Sequence, residues 1–172
     1  MLRLTFAILV ALVSGGLAPV RVQNPQPAAS AFERLKAMEG EWIDVNGALG
    51  KPGAVVATYK VTGSGNTVIE SLAVGTPDEM TTVYHRDGAT LLLTHYCSEG
   101  NQPRMRATTV NGNVLDFAFD GGTNIDVATT THMHTMRWEW ISNDEIKAVW
   151  HNWSKGREDA NHLAAMHIRR KK

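Results

Sequence analysis

An all-β fold is predicted for this sequence: an antiparallel up-and-down β-barrel of about ten strands, with one short N-terminal helix capping its closed end. Three observations predict it. Everything after Gly40 divides into short segments rich in β-branched and aromatic residues, punctuated by turn residues. The connections between those segments alternate between short and long. Only one amphipathic helical pattern of useful length is present, and it precedes all the strands.

The first 22 residues have the layout of a secretory signal peptide. Arg3 supplies a positive start, Leu4 to Val13 form an apolar run broken only by Thr5, and small residues follow (Ser14, Gly15, Gly16, Ala18). The run is too short for a permanent span, so no stable membrane anchor is expected and a secreted or periplasmic location is. Residues 23–30 belong to a proline-rich polar stretch read as a linker, and 31–172 form the barrel domain. Cys97 is the single cysteine, which excludes an intrachain disulfide and a thiolate metal cluster. Lys plus Arg and Asp plus Glu each number 17, and this balance argues against nucleic acid as a partner.

Ser30-Ala31-Phe32-Glu33 fits a capping box, and Phe32, Leu35 and Met38 recur at helical spacing before Gly40 ends the segment. The expected strands are about 41–46, 54–62, 66–74, 80–86, 90–97, 104–110, 113–119, 132–141, 145–153 and 162–169. Tight turns are expected at Gly63-Ser64-Gly65-Asn66, Asp87-Gly88, Asn111-Gly112 and Ser142-Asn143-Asp144. Longer connections cover 47–53, 75–79, 98–103, 120–131 and 154–161. In an up-and-down barrel every second connection lies at the same end, so the long loops gather at one rim. The helix then shuts the other.

Beside the long loops lie His95, Cys97, Arg104, Arg106, Asp120, Asn124, His132, His134, His151 and His162. In the eighth strand His132, His134, Met136, Trp138 and Trp140 share one face, and its apolar part marks that face as the inner one. A two-residue hairpin at Asp87-Gly88 sets Tyr84 opposite Leu91 and puts Tyr84, Leu93, His95 and Cys97 on the inner face. A slip of one residue exchanges His95 for Tyr96. The expected site is therefore a pocket at the long-loop rim, lined by His95, His132, His134, Arg104, Tyr84, Asn124 and Trp138. Apolar walls with a few polar groups suit a small amphipathic or aromatic ligand, and an inward arginine would pair with a carboxylate. A barrel filled by its own side chains is the alternative to that cavity.

Other chemistries have thinner support. His132-x-His134 places two imidazoles on one strand face, and His95 with Cys97 faces them across the mouth, but nothing supplies a metal's oriented outer shell. A haem would need one axial histidine, His162 or His167. Cys97 with His95 or His132 and Asp120 can be written as a triad, yet no nucleophile-elbow pattern surrounds it. Asp120-Gly-Gly-Thr-Asn124 has the glycines of a phosphate loop without its lysine or helix. No catalytic residue, metal ligand or cofactor is assigned.

Gly40-Glu41-Trp42 after a short helix resembles the G-x-W opening of lipocalin-type (calycin) barrels, where the tryptophan packs across the closed end. From about Phe32 onward the chain resembles a lipocalin-like family of uncharacterised secreted bacterial proteins. The resemblance is carried by Tyr84-His85, Thr94-His-Tyr-Cys97, Gly100-Asn-Gln-Pro-Arg-Met-Arg106, Phe119-Asp-Gly-Gly-Thr-Asn124 and His132-Met-His134. It implies the fold and brings no activity with it. The C-terminal helix and disulfide usual in true lipocalins are missing, and Ile43-Asp44-Val45-Asn46 stands where a haem-binding relative carries glycines. The expected function is small-molecule binding without turnover. An enzyme using the same rim groups, or a histidine-based metal or haem carrier, is the alternative.

Overall fold

Ten antiparallel strands close into a barrel in the computed structural model, which describes residues 27–172 apart from the side chain of His162. The expected signal segment, and residues 23–26 of the linker, lie outside the described residues. The strands are β1 (Gly40–Asp44), β2 (Val55–Thr62), β3 (Thr67–Leu72), β4 (Met80–Asp87) and β5 (Thr90–Tyr96). They continue as β6 (Gln102–Asn111), β7 (Val114–Thr123), β8 (His132–Ser142), β9 (Glu145–Ser154) and β10 (Arg157–Arg170). Each strand pairs with its sequence neighbours, and β1 pairs with β10 through Trp42↔Arg170, Ile43↔Arg169 and Asp44↔Ile168. Closure gives every described strand a neighbour on both sides, which removes the usual hazard of edge-to-edge association. Among the described residues no helix is long and apolar enough to cross a membrane.

Glycine placement moves the expected hairpin registers. The β4–β5 turn is Gly88-Ala89, flanked by Asp87↔Thr90, so Tyr84 opposes Leu93 and Thr82 opposes His95. Gly88 takes φ +56° at the first loop position, where a two-residue turn needs a residue free of Cβ strain. Partners therefore differ by two residues from the Asp87-Gly88 reading, and because the side-chain period is two, the inner face is unchanged. His95 is 1% exposed and Tyr96 50%, which settles the one-residue ambiguity.

The 154–161 connection is a correction of a different kind. β9 and β10 meet in the two-residue turn Lys155-Gly156, flanked by Arg157↔Ser154. Both turn residues have positive φ, the conformation of a twisted hairpin turn, and a lysine in the first position hides that signal. The extra residues are absorbed instead as an irregularity of β10 between Glu158 and Leu163. Four longer loops thus remain at one rim: 45–54, 73–79, 97–101 and 124–131.

The helix α1 (Pro27–Lys36) starts within the stretch read as linker, and Ser30 lies inside it rather than capping it. Its buried side is Ala28, Ala31, Phe32 and Leu35. Arg34 donates to Gly112 O (2.9 Å) and Asn113 Oδ1 (3.0 Å) in the β6–β7 turn, which places the helix across the tight-turn end. Trp42 sits beneath it, donating from Nε1 to Met38 O at 2.8 Å. Arg170 of β10 clamps the assembly. It donates to Ala37 O and Glu39 O, pairs with Asp144, and lies 4.8 Å over the Trp42 ring. Arg170→Ala is expected to cost about 2 kcal/mol, because charge-assisted bonds to helix-terminal carbonyls are lost. Urea unfolding would measure it, and Arg170→Lys should recover little, since an ammonium cannot reproduce the forked geometry.

Above the helix the lumen is crossed by aromatic rings. Trp42 meets Tyr59 edge-on at 5.9 Å, Tyr59 meets Trp138 at 6.3 Å, and Tyr84 meets both Trp138 (6.2 Å) and Phe117 (6.5 Å). These rings come from β1, β2, β4, β7 and β8, so the lower barrel is packed rather than hollow. The expectation of a pocket reaching down to Tyr84 and Trp138 is corrected accordingly: both are fully buried in that packing.

Candidate functional site

A row of polar side chains runs sideways around the inside of four adjacent strands. The register pairs Tyr59 with Glu70, Glu70 with Thr82, and Thr82 with His95, so the row crosses β2, β3, β4 and β5. All four residues are buried. Tyr59 OH donates to Glu70 Oε1 at 2.5 Å and Tyr84 OH to Oε2 at 2.9 Å. Thr82 Oγ1 lies 2.9 Å from His95 Nδ1, and the same hydroxyl acts on Glu70 in the sense that favours its charged form. Burial still wins at Glu70 and holds its carboxyl above the ordinary range, with the three hydroxyls pulling the other way. Burial and the adjacent Glu70 push both tyrosines well above their usual value. His95 is lowered by burial to about 4, so its imidazole is neutral at pH 7.

Neither Tyr59, Glu70 nor Thr82 was among the expected site residues. The signal was present in the third strand, where Glu70 sits between Val68 and Leu72 on the face that becomes buried. A glutamate interrupting an apolar stripe is a costly placement unless donors await it, and those donors come from other strands.

Three buried polar atoms have no hydrogen-bond partner among the described residues: His95 Nε2, Asn101 Oδ1 and Trp138 Nε1. Such atoms are uncommon, because leaving a buried donor or acceptor unmade costs about 1–3 kcal/mol. Two of the three flank the Glu70 cluster. Trp138 packs against both tyrosines that hold Glu70, and His95 ends the row on β5.

The expected histidine pair forms a separate cluster at the rim. His132 Nδ1 lies 2.8 Å from Thr130 O, and its Nε2 lies 3.0 Å from His134 Nδ1. His134 is stacked between Trp153 (4.1 Å) and Phe119 (4.9 Å). The β8–β9 register slips between Met133 and Thr135, so strict alternation is interrupted between His132 and Met136. His132 is buried all the same, and the two imidazoles pack as part of a ring cluster against Phe119. It sits where the β7–β8 ladder has ended, at Ala118↔Thr135. His134 is lowered by burial first and by His132 second. His95 shares this rim but has no hydrogen bond or ring contact with the pair; Asn101 links the two sides by donating to Thr131 O at 2.9 Å.

The remaining expected residues lie elsewhere. Arg104 is on the outer wall, with Nε 3.3 Å from Asp120 Oδ2, and Arg106 shares that carboxylate at 3.3 Å. Met105 between them is the buried residue, so alternation sends both guanidiniums outward and neither pairs with a ligand in the lumen. Asn124 is exposed in the 124–131 loop and donates to Gly100 O at 3.0 Å. Asp120 is thereby committed to arginines, not to Cys97, whose thiol is pushed up by burial. His167 Nε2 is 2.7 Å from Glu145 Oε1. The side chain of His162, the other axial candidate, lies outside the described residues. Among the described residues no three His, Cys, Asp or Glu side chains converge as metal ligands would.

The rim is braced by a glycine with no room for a side chain. A Cβ on Gly122 would lie 2.6 Å from Gln102 O and 2.8 Å from Ile125 Cδ1. Gly122→Ala is expected to cost about 1–3 kcal/mol through the forced shift of the Pro103↔Gly122 pairing. Hydrogen exchange should show the loss first at the 97–101 and 124–131 loops.

No family model matches this chain, and no curated protein matches it. What the site does must therefore follow from its own chemistry.

Proposed function

We propose that this protein binds a small, largely apolar molecule in the upper part of the barrel, entered from the long-loop rim, without turning it over. The observation that carries the reading is the pair of buried, unpartnered polar atoms His95 Nε2 and Asn101 Oδ1, the first at the end of an otherwise fully bonded polar row. A ligand group would complete that row. Apolar walls rise next to it: Leu93 pairs with Met105 and Met105 with Phe119, which leads across to the rim cluster. Apolar lining with one or two fixed polar points is the usual composition of small-molecule sites. The resemblance of the chain's motifs supports a lipocalin-like barrel, and the N-terminal segment supports export to the periplasm or medium.

Native mass spectrometry of protein purified from its own host tests the reading. A co-purifying small molecule, lost on His95→Phe, is the expected result. A mass equal to the bare chain, together with no thermal shift across a panel of lipids and aromatic compounds, would overturn it.

A further inference from the structure

Resting on that binding reading, we infer that Asn101 selects the ligand: its Oδ1 accepts from an N–H or O–H that the ligand carries, while its Nδ2 fastens a loop flanking the mouth. Asn101 is 2% exposed and stands just before β6. There it shares parity with the buried Pro103 and Met105, which turns its side chain to the inner side of the barrel. β5 and β6 pair through Leu93↔Met105 and Thr94↔Arg104, and Cys97 N donates to Asn101 O (3.0 Å) in the same register. That register sets Pro103 opposite His95 and makes His95 and Asn101 diagonal neighbours on adjacent strands. Residues so placed stand about 7–8 Å apart, within the span of one small molecule. The two unpartnered buried atoms at this rim, His95 Nε2 and Asn101 Oδ1, are thus within reach of a single ligand.

The amide leaves no proton to be placed. Its Nδ2 lies 2.9 Å from Thr131 O, a carbonyl that can only accept, so the NH2 faces Thr131 and the oxygen faces away. A reversed amide would set two oxygens against each other. His95 Nε2 donates or accepts according to the tautomer of its ring, whereas Asn101 Oδ1 accepts in every state. A ligand group beside it must bring a donor. A carboxylate would meet an oxygen instead, and the buried side chains among the described residues include no lysine or arginine to hold it. The same amide reaches across to the 124–131 loop. That loop closes on itself through Thr129 N and Thr130 N, both donating to Asp126 O. Its ends are tied down by Asn124 Nδ2 to Gly100 O (3.0 Å) and by Asn101 Nδ2 to Thr131 O. A donor on Oδ1 draws charge toward the oxygen and makes the NH2 a better donor, so the bond to Thr131 strengthens when the ligand is seated. Recognition and bracing of the loop act through one side chain.

The test uses probes matched in shape: indole and indene differ by one N–H, and phenol and toluene by one O–H. Nitrogen-15 NMR of the full chain follows the Asn101 side-chain NH2, assigned through bonds to its own backbone. Indole and phenol should move those resonances and bind about tenfold more tightly than indene and toluene, the ratio that one hydrogen bond supplies. Benzoate should gain nothing over toluene. Hydrogen exchange at 128–131 should slow with indole and not with indene. Asn101→Leu should exchange faster there and bind indole and indene alike. Faster exchange in that variant with the preference for indole intact would mean that Asn101 only braces the loop, and it overturns the inference. So does an Asn101 NH2 unmoved by a bound donor probe, a reading made on the wild-type protein whether or not the leucine variant folds. Benzoate binding as tightly as phenol refutes the ligand class and keeps the binding function. The same readings apply to any molecule that co-purifies. If no probe binds and nothing co-purifies, the binding function falls and this inference falls with it.

Discussion

Glu70→Ala is expected to destabilise the barrel by about 4 kcal/mol, more than any other single polar substitution in the row. Two buried tyrosine hydroxyls lose their acceptor at once. Each hydroxyl left buried and unmade costs about 1–3 kcal/mol, and the vacated volume adds to that sum. Glu70→Gln should cost roughly half as much, because the amide oxygen still accepts from one tyrosine while its NH2 confronts the other. Chemical denaturation followed by tryptophan fluorescence measures both, since Trp138 packs against the two tyrosines. A Glu70→Ala loss below about 1 kcal/mol would show that the row does not act as a unit. Double substitution with Tyr59→Phe and Tyr84→Phe should restore part of the loss, because the orphaned hydroxyls are then gone.

Acidification should expose His95. Its folded-state value is depressed to about 4 from an ordinary 6.5, so the neutral form is the one the folded barrel accepts. The unfolded chain binds a proton at His95 near pH 6.5 while the folded chain resists until about pH 4, so stability is full above the first value. It is then lost as pH falls through the second, by a total on the order of 3 kcal/mol. Glu70 acts in the opposite sense: its raised value makes stability greater at low pH, diminishing as pH rises through the folded-state value. His134 is lowered and adds to the acid-side loss. Subtracting the pH profile of His95→Gln from that of the wild type removes the contributions common to both. The difference should slope between about pH 6.5 and 4 and be flat above. A flat difference throughout would mean that His95 charges without penalty and is not buried as described.

Much of the architecture could be read along the chain because it rests on short-range rules. Alternation in Met136-Arg-Trp138-Glu-Trp140 marks one buried face, and those tryptophans are buried while Arg137 and Glu139 are exposed. The helix at the tight-turn end follows from parity, since a chain entering the first strand there must leave the long loops at the other end. Where a local signal misled, the cause was equally local. Ser30 could have capped a helix, but Pro27 suits the first turn, where a missing N–H costs nothing, and the helix includes both residues.

By itself the sequence determined a strand count, a closed antiparallel cylinder and which rim carries the longer loops, because periodicity and turn chemistry are properties of neighbours in the chain. Only the tertiary structure decided which polar residues meet. Tyr59, Glu70, Thr82 and His95 are separated by 11, 12 and 13 residues, yet register places them side by side. A slip in β8 interrupts the pairing between the rim histidines and Met136, which alternation along the strand does not show. Register is fixed by the sum of many pairings and by turns that shift it two residues at a time, so neighbours across strands cannot be read from either strand alone.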